Sequence, residues 1–234
     1  MALLAVFFDV DFTLIYPGPT FQGEGYRAFC EKYGMQVDES RFEQGVASAA
    51  RLLDGPDDAY DAEVFVAYTR HIIEHMGGRG DRLDACAREI YDEWAGCHHF
   101  SLYEEVPGVL RELSASGLRI GLISNSHRCL TSFQSHFDLN GLIAAAISGP
   151  EHGFMKPNPS IFRAALERAG VEPHEALMVG DSVSQDVEGA ARAGMRGVLV
   201  HRGDEPHPRS GELTAAGVPV VSSLTDLREL VGKL

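Results

Sequence analysis

Residues 3–14, Leu3-Leu4-Ala5-Val6-Phe7-Phe8-Asp9-Val10-Asp11-Phe12-Thr13-Leu14, decide the reading of the fold. Six apolar residues in a row, without the alternation of a half-exposed strand, suit a strand covered on both faces in the middle of a parallel sheet. The run stops on Asp9 and Asp11, so the strand delivers negative charge at its carboxyl end. It is too short to span a bilayer and has no basic leader, which makes it the expected start of a domain core rather than a signal peptide.

Downstream, Pro17-Gly18-Pro19 punctuate the chain, and from about Phe21 to Trp94 the periodicity turns helical. Helices are expected near 20–33, 39–53, 59–76 and 81–95, with apolar stripes such as Phe42, Val46, Ala49, Leu53 and Leu83, Cys86, Ile90, Trp94. Such stripes predict an all-helical insert over 16–101, inside a core made of 1–15 and 102–234. After Pro107 short apolar strands alternate with amphipathic helices: strands at 119–123, 142–147, 176–179, 197–200 and 219–221, with helices between them. The alternation predicts an α/β fold, a three-layer Rossmann-like core around a mostly parallel sheet. The polar segment 201–212 reads as a loop.

The chain has 234 residues and a formal charge of -14, with no Lys or Arg run, so it repels a phosphate backbone and an anionic membrane alike. Neither nucleic acid nor membrane is an expected partner. Its four cysteines, Cys30, Cys86, Cys97 and Cys129, form no C-x-x-C pair and suit free thiols in the cytoplasm. The state could be a monomer or a homodimer.

Parallel strands bring their carboxyl ends to one crevice, and here those ends carry chemistry. Asp9 and Asp11 follow the first strand, Ser124 and Asn125 the second, Lys156 the loop after the third, and Asp181 the fourth, with Asp186 five residues on. Carboxylates brought together repel unless a cation joins them, and an all-oxygen set suits Mg²⁺. Lys156 adds a point charge for an anionic substrate.

Together, Asp9-Val10-Asp11-Phe12-Thr13-Leu14, Ile123-Ser124-Asn125, Lys156-Pro157 and Gly180-Asp181-Ser182-Val183-Ser184-Gln185-Asp186 resemble, in content and order, the motifs of the haloacid dehalogenase superfamily, in its phosphatase-like branch with a helical, C1-type cap. The resemblance implies hydrolysis of a small phosphorylated metabolite through an aspartyl-phosphate. Asp9 would be the nucleophile and Asp11 the general acid and base. Lys156 would neutralise charge, and Ser124, Asn125 and Lys156 would hold the phosphoryl group. Mg²⁺ would be bound by Asp9, Asp181 and the Asp11 backbone carbonyl, with Asp186 holding a metal water or positioning Lys156. Phe12 departs from the small residue common at its position, which implies an effect on substrate gating. Thr13 would orient Asp11 or cap the turn.

A metal-free L-2-haloacid dehalogenase shares the attacking aspartate, but that branch lacks an acid at the position of Asp11 and differs in the fourth motif. A phosphomutase or phosphonatase stays open, although Lys32 is the single lysine in 16–101. A non-catalytic regulatory protein with a vestigial site is the non-enzyme alternative. Outside the motifs, His71 and His75 read as ordinary helix residues. His98 and His99 read as a hinge, Trp94, Tyr91 and Phe65 as packing, and Glu104-Glu105 and Asp57-Asp58 as solvated acids.

Overall fold

The structure is a computed structural model and describes residues 2–53, 59–203 and 205–232; Asp57 and Asp58 lie outside the described residues. The chain divides into two compact units, Met1–Tyr16 with Leu102–Leu234, and Pro17–Ser101. The strands are β1 (Ala5–Phe8), β2 (Ile15–Pro17), β3 (Phe100–Leu102), β4 (Arg119–Ser124), β5 (Ile143–Ser148), β6 (Ala176–Gly180), β7 (Arg196–Val200) and β8 (Val220–Val221). Among the described residues, six of them form one sheet in the order β5-β4-β1-β6-β7-β8, and every neighbouring pair is parallel. The passages β2 and β3, where the chain leaves and re-enters the larger unit, form a separate two-stranded sheet.

All four residues of β1 are fully buried, as the unbroken apolar run predicts. Alternate side chains serve opposite faces. Phe7 joins Ile123, Ile147 and Met178 in a core against Ile161, Phe162, Ala165 and Leu166 of the helix Pro159–Ala169, so Val6 and Phe8 are buried on the other face. Each buried Phe contributes about 1.5–3 kcal/mol of transfer free energy. Gly121 makes this packing possible, because a Cβ there would lie 2.2 Å from the Phe7 ring.

From β1 the chain builds outward first through β4 and β5, then on the other side through β6, β7 and β8. Loops leaving β1 and β6 therefore diverge, which opens a crevice at their carboxyl ends.

The second unit holds helices Gly23–Lys32, Phe42–Ala49, Ala62–His75 and Leu83–Glu93, each with a buried stripe, for example Val66, Thr69, Ile72 and Ile73. The expected helix over 39–53 is α-helical only across Phe42–Ala49, between tighter 3₁₀ turns at Glu39–Arg41 and Ala50–Leu53. In the same unit Phe21 packs against Trp94 and Phe100. One expectation fails in the core: Ser210–Ala215 is a helix, not the continuation of a loop. It buries only Leu213, so it carries no amphipathic period by which a sequence could reveal it.

Candidate active site

Asp9 continues β1 by one residue, its N–H donating to Val179 O at 2.9 Å, and so fixes its side chain at the mouth of the crevice. The chain then turns sharply. Leu14 N–H returns to Val10 O and Phe12 N–H to Ile15 O, and Phe12 takes a left-handed backbone with φ of 62°. Only small residues take that conformation without steric cost, and for Phe it costs about 1–2 kcal/mol. The Phe12 ring is exposed and lines an open cavity of about 240 Å³ with Tyr103, Asp181, Val200, His201 and Arg202.

Lys156 is 2% exposed, and its Nζ lies 2.5 Å from Asp9 Oδ1 and 2.7 Å from Asp186 Oδ1. A closed ring of hydrogen bonds holds it there. Asp186 Oδ2 accepts from Ser182 N–H, and Ser182 Oγ accepts from Gln185 N–H. Gln185 Oε1 accepts from Asn125 Nδ2, and the Asn125 amide spans the Lys156 peptide, donating to its carbonyl at 2.9 Å and accepting from its N–H at 2.7 Å. Gly180 is required beside it, since a Cβ would stand 2.1 Å from Asp186 Oδ2.

These bonds redistribute several expected roles. Asn125, expected on the phosphoryl group, has its amide committed to the Lys156 loop. Ser124 Oγ accepts from Ser126 N–H, which leaves its own proton available for donation. Asp186 fixes Lys156 through Oδ1 and is itself held through Oδ2 by the Ser182 N–H. Thr13 does not bond Asp11: its hydroxyl donates to Asp181 Oδ1 at 3.4 Å. Glu105 is no solvated acid, because it pairs with Arg202, which also donates to Thr13 O and lies 3.5 Å over the Tyr103 ring.

Sequence reasoning missed Arg128, 1% exposed, which donates from Nη2 and Nη1 to Asp11 Oδ1 at 3.2 and 3.4 Å. Elsewhere His71 meets Ser48, and His99 pairs with Glu93 beside His98. All four cysteines are free. No helix among the described residues is long and apolar enough to cross a membrane.

Burial pushes the Asp9 carboxyl well above the usual carboxylate range; Lys156 opposes that shift, and the charges of Asp186 and Asp181 add to it. For Lys156 burial works against the charge, yet Asp186 and Asp9 together hold its pKa above the ordinary lysine value. Asp181 opens to solvent on one side and is walled by protein on the others; that desolvation first, and the charge of Asp186 second, push it up to about 7.

A carboxyl whose folded pKa exceeds its unfolded value of about 3.9 favours the fold when protonated, so its stability contribution falls as pH rises through that interval and is fully lost above about 7. Asp181→Asn is therefore expected to raise the Tm of the metal-free protein at pH 8, and to lose that advantage below about pH 4. Solvent screening limits the gain to about 1 kcal/mol, or about 2–4 °C, readable by thermal scans at both pH values.

The donor set fits a hard divalent cation. Ligand oxygens of Asp9, Asp181 and Asp186 lie within 4.8 Å of one another, and the ion pairs set Lys156 against Asp9 and Asp186 and Arg128 against the neighbouring Asp11. Carboxylates in such surplus, without nitrogen or sulfur donors, suit Mg²⁺.

A sequence profile of haloacid dehalogenase-like hydrolases matches residues 3–194. Phosphoserine phosphatase of Thermus thermophilus is 37% identical over 144 residues, which span 58% of this chain and 54% of that protein. Glyceraldehyde 3-phosphate phosphatase of Methanopyrus kandleri is 30% identical over 89% of each chain. Among solved structures, a 2-haloacid dehalogenase from Pseudomonas syringae aligns with a TM-score of 0.65 at 25% identity, covering 99% of both chains. An acid at the end of a central parallel strand, a buried lysine clamped against it, and a profile match through all four motifs agree on one conclusion: the chain belongs to the haloacid dehalogenase-like hydrolases.

Proposed function

We propose that this hydrolase is a Mg²⁺-dependent phosphatase of small phosphorylated metabolites, working through an aspartyl-phosphate on Asp9, with the helical unit as its cap domain. The observation that carries the proposal is the pairing of Asp9 with a buried Lys156 while a second acid, Asp11, stands two residues away on a separate cation. Asp9 attacks phosphorus, the ester P–O bond breaks, and Asp11 gives its proton to the departing oxygen. Water then attacks the phosphoryl group of the intermediate, Asp11 takes its proton, and the P–O bond to Asp9 breaks to release phosphate.

Lys156 neutralises the nucleophile and the incoming phosphate. Ser124 donates to a phosphoryl oxygen, and Asn125 acts through the Lys156 loop. Mg²⁺ would be held by Asp9, Asp181 and the Asp11 carbonyl, where it supplies a Lewis acid for phosphoryl oxygens. Phosphoryl transfer needs chiefly placement and charge stabilisation, which this arrangement provides. Phe12, on the wall of the cavity beside Asp181, sits where a leaving group would enter and is proposed as its gate.

The names of the two phosphatase relatives support this reaction class. Displacement of halide needs no proton donor, so the acid role of Asp11 and the carboxylate surplus would be idle in a dehalogenase. The test is a panel of small phosphomonoesters and 2-haloacids, with Mg²⁺ or with chelator. Phosphate release that requires Mg²⁺ is expected, whereas halide release or turnover undiminished by chelation would overturn the proposal.

A further inference from the structure

Three donor side chains outside the Asp9 crevice converge at the end of the helix Leu83–Glu93. The chain folds back there in two successive turns, Gly96 N–H bonding to Glu93 O at 2.9 Å and His99 N–H to Gly96 O at 3.2 Å, before it enters β3. The turns bring His98 and His99 side by side, ring centroids 3.9 Å apart, and set His99 Nε2 3.0 Å from Glu93 Oε2. One donor atom from each of the three residues lies within 4.8 Å of the others. Among the described residues, only the set of Asp9, Asp181 and Asp186 is assembled in the same way.

The surroundings hold the rings in place. His99 stands edge-on to the buried Phe21 ring at 5.3 Å, and its carbonyl accepts from Gly18 N–H at 2.7 Å. Both imidazoles lean against Gly96, where a Cβ would lie 3.0 Å from His98 Cε1 and 3.2 Å from His99 Cδ2.

We propose that Glu93, His98 and His99 form a second metal site, one that takes Zn²⁺, within the helical unit. Donors about 2.0–2.1 Å from one ion lie about 3–3.4 Å apart, so the spacing of Glu93 and His99 already suits two ligands on one centre. The ion replaces the hydrogen bond between them, with the His99 proton carried on Nδ1. Two imidazoles and a carboxylate favour Zn²⁺, Ni²⁺ or Cu²⁺ over Mg²⁺, whereas the all-oxygen set around Asp9 favours Mg²⁺. The two sites therefore sort their ions by donor chemistry. Bound here, the ion ties the end of the helix Leu83–Glu93 to the turn that leads into β3.

Trp94 is the single tryptophan of the chain and adjoins Glu93 in sequence, so a paramagnetic ion at this site should quench it. Titration of the full chain with Ni²⁺, in excess Mg²⁺ to fill the carboxylate site, is expected to give saturable one-to-one quenching that added Zn²⁺ reverses by displacement. His98→Ala, at an exposed position, should weaken Ni²⁺ by at least about 10–100-fold, the loss that follows removal of even a supporting partner of a metal site. The Tm of the metal-free variant should match that of the unmodified protein. His98→Cys restores a ligand and should recover Zn²⁺ binding, a rescue that a packing role for His98 does not predict. Gly96→Ala keeps all three donors but crowds both rings, and should also weaken the ion. Asp181→Asn, at the other site, should leave the quench unaltered. Quenching that fails to saturate, survives His98→Ala or disappears with Asp181→Asn would overturn the proposal, and none of these readouts depends on turnover.

Discussion

Asp9→Asn is expected to abolish turnover, by about 10⁴-fold or more, without unfolding the protein. The amide has the shape of the carboxylate and can still accept from Lys156, so the clamp with Asp186 survives. What it lacks is a nucleophilic oxygen. Because burial and two neighbouring acids disfavour the charge at this position, removing it should leave Tm unchanged or slightly higher. Phosphate release and thermal scans on the same preparation check both halves, and mass spectrometry of acid-quenched samples should find one phosphoryl group on the native chain and none on the variant. A phosphorylated Asp9→Asn protein would place the nucleophile elsewhere.

Lys156→Met should damage stability and activity together. Removing the ammonium leaves Asp9 and Asp186 facing each other in the protein interior, and breaking a buried pair in this way costs about 3–5 kcal/mol. For a chain of this size that lowers Tm by about 6–20 °C. Turnover should fall at least about 10³-fold, since electrostatic stabilisation of the phosphoryl group is lost along with the placement of Asp9. Adding Asp186→Asn to the same chain relieves the repulsion, so the double variant should melt higher than Lys156→Met alone while staying inactive. A single variant that melts like the unmodified protein would mean that Lys156 is no clamp.

These expectations draw on two kinds of information with different visibility in the sequence. Strands such as Ala5–Phe8 and Ala176–Gly180 are legible because burial on both faces writes an unbroken apolar run, and the acids that follow are legible because nothing else interrupts such a run with charge. Arg128 was not legible. An arginine in a short polar turn looks solvated, and its burial depends on Asp11, a partner that sequence spacing cannot bring near. Glu105 was misread for the same reason, its partner Arg202 lying 97 residues on. Asn125 shows a subtler limit: its motif marks it as important, but whether its amide points at substrate or at the Lys156 peptide is settled by loop geometry. Phe12 stands between these cases, since its bulk was conspicuous but the left-handed backbone that makes it unusual was not.

The ring that runs from Lys156 through Asp186, Ser182, Gln185 and Asn125 back to the Lys156 peptide has a consequence for motion. Three of the bonds, Lys156 to Asp186, Asn125 to Gln185 and Lys156 to Asn125, tie one loop to another, and the two within 182–186 hold that loop's shape, so none of the three segments can swing away without stripping a charged or amide group of its partner inside the protein. Loops are ordinarily the first parts of a fold to open, but these three are coupled into a single cooperative unit that opens together or stays shut. The flank of the nucleophile thereby gains the rigidity of a secondary-structure element while keeping the chemical variety of a loop.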